Sequence, residues 1–413
     1  NTPVYVDGSV RAGSLKGNVY LRGQGDPTLV MERLWLLMRR LQGQGIHVIV
    51  GDIVLDRSAF DLAGHDPAQF DGEPLRPYNA APDALLLNFK SVVMGFVPDP
   101  GAGVAHIQYD PPMAGVQRPD NVALAASGTG CGDWRGGLRA ELSDPLRTTF
   151  QGAYAASCGE RSWAVAYADP QAFAARAVEG MWRALGGKLT GSVREGKVPA
   201  GLQPAFSVTS PPLAAVVRDV NKFSNNVMAR QLLLTIDAEL SKRPAQAKRA
   251  GRSIRDWAKA RGFDLPDLVI ENGSGLSRIE RISAQSLAGM LEYGLTSPFA
   301  SDFLSSLPLA ATDGTLAKRF VNQLAEGNAY LKTGTLTGVK ALAGYLLLPD
   351  GRRMLFVGIV NHGNAEAARH AENAVARHIR KRRIRQDGKA RISRHGIKAV
   401  PHEVDARVGK AGQ

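Results

Sequence analysis

The spacing of hydrophobic positions along the chain predicts an α/β protein with more than one domain. Near the start, apolar and polar residues alternate through 4–6 and 19–21 with glycines between them, which predicts short strands. A helix is then predicted to end at Gly43, because four apolar residues precede it at a helical spacing: Leu34, Leu37, Met38 and Leu41. Asp169-Pro170 and Gly186 are the predicted start and end of a second helix.

The last part of the chain is predicted to contain longer helices followed by a strand meander. Helical spacing predicts helices over 213–223 and 227–236, and Ser283 is predicted to begin another. Three strands are predicted over 329–335, 340–348 and 353–361. Pro349-Asp350-Gly351 is a strong turn sequence, so the three strands are expected to be antiparallel neighbours.

The positive charge of the chain is concentrated at its carboxyl end. The net charge is +13, but residues 377–413 contain 12 Lys or Arg and only 3 Asp or Glu, which leaves a balance of +4 for residues 1–376. A nearly neutral body does not favour a nucleic-acid-binding protein. We interpret residues 381–413 as a basic, disordered tail, and contact with an anionic membrane or wall polymer is the alternative.

Other features of the sequence bear on the location of the protein. No apolar run is long enough for a membrane span, and the chain opens at Asn1 with no signal-peptide pattern, so either a signal was removed or the sequence starts late. Cys131 and Cys158 lack the spacing of a metal site, and no metal or other cofactor is expected. A single disulfide between them would suit a periplasmic protein, and two unrelated buried thiols are the alternative.

Three short motifs carry the candidate chemistry. Ser224-Asn225-Asn226 lies between two predicted helices, Lys332-Thr333-Gly334 lies on the first strand of the meander, and residues 272–278 form a glycine-rich loop. A lysine and a threonine on an edge strand offer a cation and a hydroxyl to an anionic substrate end, and the glycine lets the backbone approach it. A serine at a helix junction can pass a proton, and an asparagine two residues later can bind an amide.

Each motif also has a plain structural interpretation. The lysine motif could be a strand entering a turn, and Ser224 and Asn226 could cap a helix. The glycine-rich loop is better interpreted as a rigid turn that supports a cleft than as a catalytic element. A metal site at His362, Glu366 and His370 is not favoured, because the spacing lacks a zinc motif.

Together the motifs resemble those of a known family. Ser-x-Asn and Lys-Thr-Gly occur in the order found in penicillin-binding proteins and serine β-lactamases. The chain most resembles class C low-molecular-mass penicillin-binding proteins, which are D-alanyl-D-alanine carboxypeptidases and endopeptidases of peptidoglycan. The resemblance covers about residues 1–376 and includes these further segments: 25–29, 49–60, 273–278, 307–309 and 313–316.

The resemblance implies a fold and a division into domains. The fold is the penicillin-recognising one, an antiparallel sheet flanked by helices, with inserted modules that are mainly β. The peptidase domain is predicted over 206–380 and is incomplete at its amino-terminal part. One inserted module is predicted over 9–81, and a second is predicted from 1–8 together with 82–205.

The resemblance also implies a role for each motif residue. Ser224 matches the serine that passes a proton towards the leaving group, and Asn226 matches the amide that holds the substrate peptide. Lys332 and Thr333 match the groups that bind the terminal carboxylate of D-alanine or of a β-lactam, beside Gly334. The backbone N–H of Thr335 matches one donor of the oxyanion hole. The implied reaction acylates a serine and then hydrolyses the acyl-enzyme.

One expected motif is absent from the sequence. No lysine has a serine three residues before it, and the nearest forms, Thr315 to Lys318 and Thr337 to Lys340, follow the Ser-x-Asn motif instead of preceding it. We therefore expect that the chain lacks the nucleophile segment of the family and that the polypeptide as written is inactive. A non-catalytic peptidoglycan-binding protein is the main alternative, and a serine β-lactamase is disfavoured by the long segment before Ser224.

Overall fold

The computed structural model describes residues 1–62, 64–323, 325–348 and 350–368. The predicted tail at 381–413, residues 369–380 of the last predicted domain, His370 and Pro349 lie outside the described residues. Among the described residues, every helix is too short or too polar to cross a bilayer.

The strands and helices alternate in blocks along the chain. The strands are β1 (Thr2–Arg11), β2 (Ser14–Arg22), β3 (Val48–Ile49), β4 (Ile53–Asp56), β5 (Ser91–Asp99), β6 (Val104–Asp110), β7 (Asn121–Ala123), β8 (Ala140–Glu141), β9 (Thr149–Phe150), β10 (Arg161–Ala166), β11 (Lys188–Leu189), β12 (Val193–Glu195), β13 (Pro204–Val208), β14 (Ala329–Leu336), β15 (Val339–Leu347) and β16 (Arg353–Asn361). The helices are α1 (Met31–Gly43), α2 (Trp134–Leu138), α3 (Phe173–Ala184), α4 (Leu213–Phe223), α5 (Asn226–Ser241), α6 (Ala247–Ala260), α7 (Ala284–Thr296) and α8 (Ala300–Ser306).

A seven-stranded sheet joins the beginning of the chain to residues near 200. Its main path is β11-β3-β2-β1-β13, while β4 pairs with β2 and β12 pairs with β4. The alternation predicted at 4–6 and 19–21 places Val4, Val19 and Leu21 in a core against α1 and α3. β13, the last strand of this sheet along the chain, is followed by α4, and α4 leads to the candidate site.

A four-stranded antiparallel sheet, β10-β5-β6-β7, forms a separate core. Aromatic rings fill it, since the ring of Phe96 stacks on Tyr154 and meets Trp134 edge-on. The disulfide predicted between Cys131 and Cys158 is present and lies at the edge of this core.

The predicted meander is confirmed, because β14-β15-β16 form a three-stranded antiparallel sheet. Residues of β14 alternate between its two faces. Leu331 packs in one core with Leu316 and Phe320, whereas Tyr330 packs on the other face with residues of α7 and α8. Both faces of the strand that carries Lys332 are therefore supported.

Two predictions about boundaries have different outcomes. α3 begins at Phe173, later than predicted, because the Asp169 carboxylate accepts N–H groups in the turn before the helix. The predicted domain boundaries stay a prediction. The strand pairing shows only that strands within residues 2–22, 48–56 and 188–208 share one sheet, while β5, β6, β7 and β10 form another and β8 pairs with β9.

Candidate functional site

Ser224 lies at the junction of α4 and α5 in a left-handed backbone conformation. Its φ is 55° and ψ is 45°, a region that favours glycine or asparagine at the end of a helix. The Asn225 side chain, not that of Ser224 or Asn226, caps α5 by accepting the N–H of Met228. The capping interpretation therefore belongs to Asn225. A serine held at a strained position without a capping role indicates a use for its hydroxyl.

Asn226 is held by the glycine-rich loop at 272–278. Its side-chain amide donates to the carbonyl of Ser274 at 2.9 Å. The buried Arg230 donates to the Ser274 hydroxyl at 3.2 Å and to the carbonyl of Ala80. Glu280 accepts backbone N–H groups from this loop, including that of Gly275. These contacts support the interpretation of the loop as a rigid turn beside the site.

Lys332 lies on β14 and reaches across to Ser224. Its ammonium donates to the Ser224 hydroxyl at 2.7 Å and to the carbonyl of Thr333 at 2.9 Å. Within the part of the chain that the structure describes, Lys332 forms no ion pair with a carboxylate. Burial lowers the pKa of Lys332 from 10.5 to about 8. The ammonium is thus partly desolvated and has no compensating negative charge.

The residues after Lys332 divide between the two faces of β14. Thr333 and Thr335 lie on the face opposite to Lys332, because side chains alternate along a strand. The Thr333 hydroxyl lies 3.3 Å from that of Thr315, and the Thr335 hydroxyl accepts from Lys340 at 3.2 Å. The sequence predicts that a cation and a hydroxyl are both offered to the substrate. In the structure the Lys332 ammonium and the Thr333 hydroxyl lie on opposite faces of β14.

The backbone of β14 presents N–H groups at its outer edge. Leu331 donates its N–H to the carbonyl of Pro308, on the side away from β15. Since alternate residues of a strand direct their N–H groups to the same edge, those of Thr333 and Thr335 face this edge as well. Gly334 lies between them, where an added Cβ would come within 3.3 Å of the Ala341 side chain.

The structure therefore brings the two predicted motifs together. Residues 224 and 332 are 108 positions apart in the sequence and in direct contact in the fold. Sequence reasoning missed Lys222, Asp313 and Arg230 as parts of the site. Asp313 lies in a segment that the resemblance singled out, but nothing in the sequence indicated its partner. Of the metal ligands considered, His362 accepts the N–H of Asn364, Glu366 pairs with Lys340, and His370 lies outside the described residues.

The sequence matches the profile of a known family over residues 1–382, described as the D-Ala-D-Ala carboxypeptidase 3 (S13) family. The chain belongs to this family. The resemblance to class C low-molecular-mass penicillin-binding proteins is thereby confirmed, and the family is one of hydrolases. The chain is 26% identical over 364 residues to D-alanyl-D-alanine carboxypeptidase DacB of Haemophilus influenzae, covering 87% of this chain and 75% of that protein. It is 30% identical over 371 residues to D-alanyl-D-alanine carboxypeptidase of Actinomadura sp., covering 85% of this chain and 66% of that protein.

The fold matches that of solved structures. A crystal structure of penicillin binding protein 4 from Haemophilus influenzae superposes with a TM-score of 0.70 at 24% identity, covering 91% of this chain and 86% of the other. The same protein in complex with a β-lactam gives a TM-score of 0.65 at 24% identity, covering 91% and 85%. The predicted fold class, a penicillin-recognising fold with helix-flanked sheets, is confirmed.

Proposed function

We propose that this chain provides the substrate-binding half of a serine-type D-Ala-D-Ala carboxypeptidase and endopeptidase that acts on peptidoglycan stem peptides and crosslinks. Lys332 and Thr333 bind the terminal carboxylate of the substrate beside Gly334, at the outer edge of β14 where the two faces meet and the Thr333 N–H lies. Asn226 holds the substrate peptide, and the N–H of Thr335 is one donor to the developing oxyanion. Ser224 passes a proton towards the leaving group.

The observation that carries this proposal is the contact between Lys332 and Ser224. A half-buried ammonium that is bonded to a hydroxyl at 2.7 Å and has no carboxylate partner among the described residues suits an anionic ligand. A terminal carboxylate would supply the missing charge. The same hydroxyl, bonded to a lysine whose pKa lies near 8, is suited to proton transfer at neutral pH.

The proposed reaction requires a nucleophile that these 413 residues do not offer as a Ser-x-x-Lys motif. In the proposal the motif is supplied by a segment outside residues 1–413, and its serine forms the acyl-enzyme with the penultimate D-alanine. The absence of the motif favours one second candidate, a non-catalytic protein that binds peptidoglycan peptides without being acylated.

The proposed ligands and location follow from the same chemistry. A β-lactam carries a carboxylate comparable to that of D-alanine, and the Haemophilus structure holds such a molecule, so we propose β-lactams as ligands here. The disulfide between Cys131 and Cys158 supports a periplasmic location, since disulfides persist in oxidising compartments.

Labelling with a fluorescent penicillin tests the proposal. The natural gene product is expected to carry Ser-x-x-Lys in frame before Asn1 and to be labelled covalently, whereas the 413-residue chain is expected to bind without a covalent bond. A Lys332→Met variant of the gene product should be labelled much more slowly. A gene product with no such motif and no labelling would favour the non-catalytic candidate. Rapid release of the labelled product, within seconds, would favour a β-lactamase instead.

A further inference from the structure

A short segment, residues 313–315, touches both halves of the site. On one side, the ammonium of Lys222 donates to the two carboxylate oxygens of Asp313 at 2.6 and 2.8 Å and to the carbonyl of Leu307 at 2.7 Å. Lys222 is two residues before Ser224 and is almost fully buried, with 7% of its side chain exposed. On the other side, the Thr315 hydroxyl lies 3.3 Å from that of Thr333, next to Lys332.

The segment also fits the end of α4 sterically. Gly314 has a φ of 55°, and a Cβ added there would lie 2.5 Å from the carbonyl oxygen of Lys222. Backbone therefore packs directly on backbone at the last turn of α4. Asn221 adds a contact by donating to the Ser306 hydroxyl at 2.8 Å. The last turn before Ser224 is thus fixed from the 306–314 side.

The packing of the 306–314 segment on α4 matters because the left-handed conformation of Ser224 is unfavourable for serine itself. A left-handed backbone at a non-glycine residue is costly and persists where the surroundings impose it. Burial alone would raise the pKa of Asp313, but hydrogen bonds from the Leu309 N–H and from Lys222 hold it below the ordinary value. Asp313 therefore stays ionised at neutral pH, and the ion pair persists.

We propose that Lys222 and Asp313 are a positioning pair, which, through residues 313–315, keeps the Ser224 hydroxyl within hydrogen-bonding reach of Lys332. This role acts through the position of Ser224 and needs no contact of either side chain with the substrate. The consequence for catalysis rests on the proposed function, whereas the positioning of Ser224 against Lys332 does not.

The test is the titration of Lys332 in the 413-residue chain. Lysine labelled with ¹³C and ¹⁵N is followed by NMR, and the Lys332 signal is assigned from a Lys332→Arg variant. Asp313→Asn keeps an oxygen for the Leu309 N–H but removes the charge opposite Lys222. If Ser224 then moves away, water reaches the Lys332 ammonium, and its titration midpoint should rise by about one pH unit from about 8.

A matched control separates positioning from general loss of stability. Asp237 is fully buried and pairs with Arg249 at 2.6 Å between α5 and α6. Asp237→Asn removes a comparable ion pair elsewhere in the same part of the chain. It should lower the thermal midpoint of unfolding without moving the Lys332 titration.

The outcomes are distinct. An unchanged Lys332 midpoint in folded Asp313→Asn protein would overturn the positioning pair. If Asp313→Asn does not fold, Thr315→Val is measured instead. Loss of the contact between Thr315 and Thr333 should shift the Lys332 midpoint in the same direction by a smaller amount. No shift would overturn the proposal. Binding of N-acetyl-D-Ala-D-Ala is measured in parallel. If the wild-type chain does not bind this peptide but Asp313→Asn shifts the titration midpoint of Lys332, the proposed function is refuted and the positioning pair stands.

Discussion

Two lysines in different regions of the molecule, the buried Lys90 and the half-buried Lys332, have their charges compensated in opposite ways. Near the start of β5, Lys90 is 4% exposed and lies 2.8 Å from the carboxylate of Asp83, which also accepts from Arg57. In the candidate site, Lys332 contacts only a hydroxyl and a carbonyl among the described residues. A buried charge that is neutralised within the protein holds the structure together, whereas one without a counter-ion is available to an incoming anion.

The environments of the two lysines explain this difference. Asp83 is tied to α5, because its backbone N–H donates to the Gln231 side chain. The Lys90 region therefore joins the four-stranded sheet to the helix that carries Asn226. Lys332 lies instead on the strand whose outer edge presents the N–H groups of Thr333 and Thr335.

The largest expected effect is the loss of Asp83. Asp83→Asn leaves both Lys90 and Arg57 without their buried counter-ion, so the free energy of unfolding should fall by about 3–5 kcal/mol. Urea unfolding followed by circular dichroism measures it. Glu239→Gln, which breaks the exposed pair with Lys242, is the control and should change nothing beyond measurement error. A loss no larger than that of the control would mean that the Lys90 region is not held by its charges.

The disulfide is a second feature that stabilises the structure, and it lies far from Lys332 in sequence. Cys131 and Cys158 are separated by 27 positions, and replacing both by serine should lower the free energy of unfolding by about 3–4 kcal/mol through the entropy of the unfolded chain. The Lys332 titration should stay unchanged. A shifted Lys332 midpoint in the folded variant would contradict the separation of structural and site regions.

Removal of Lys332 should have the opposite sign to removal of Asp83. The folded-state pKa of Lys332 is about 8 and its ordinary value is 10.5, so between these values the unfolded chain binds more protons and stability rises with pH. The unfavourable buried charge is fully present below pH 8. Lys332→Met should therefore be more stable than the wild type at pH 7 by about 2 kcal/mol, and the gap should narrow as the pH rises from about 8 through 10.5. Parallel curves of unfolding free energy against pH for the two proteins would show that Lys332 is not desolvated.

The smallest expected effect concerns the backbone of Ser224. Both Ser224→Ala and Ser224→Gly remove the hydroxyl bonded to Lys332, but only glycine relieves the left-handed conformation. The glycine variant should be more stable than the alanine variant by about 1 kcal/mol in urea unfolding. Equal stabilities, or a more stable alanine variant, would show that residue 224 is not strained.

Local patterns predicted the parts of the fold that depend on neighbours in sequence. The β14–β16 meander follows from alternation and turn residues, and α7 begins after Ser283, whose hydroxyl caps the helix as predicted by accepting the N–H of Ser286. The start of α3 was misplaced because the Asp169 side chain closes a turn, and a capping residue has the same signature whether a helix or only a turn follows.

The site could be predicted only as far as its motifs. Lys332 and Ser224 are recognised as separate motifs, and the resemblance implies only a role for each towards the same substrate. The ion pair of Lys222 with Asp313 joins residues 91 positions apart and follows from how α4 packs on the 306–314 segment. Likewise, β13 joins β1 from the far end of the first half of the chain. Such pairings depend on tertiary packing, which neither periodicity nor composition encodes.

The most direct test of the central claim compares two peptides that differ in one group. N-acetyl-D-Ala-D-Ala and its C-terminal amide are titrated into the labelled 413-residue chain while the Lys332 signal is followed by NMR. The account predicts that the carboxylate peptide raises the Lys332 titration midpoint and that the amide does not, because only the carboxylate supplies the missing negative charge. Equal responses to the two peptides, or none to either, would contradict it.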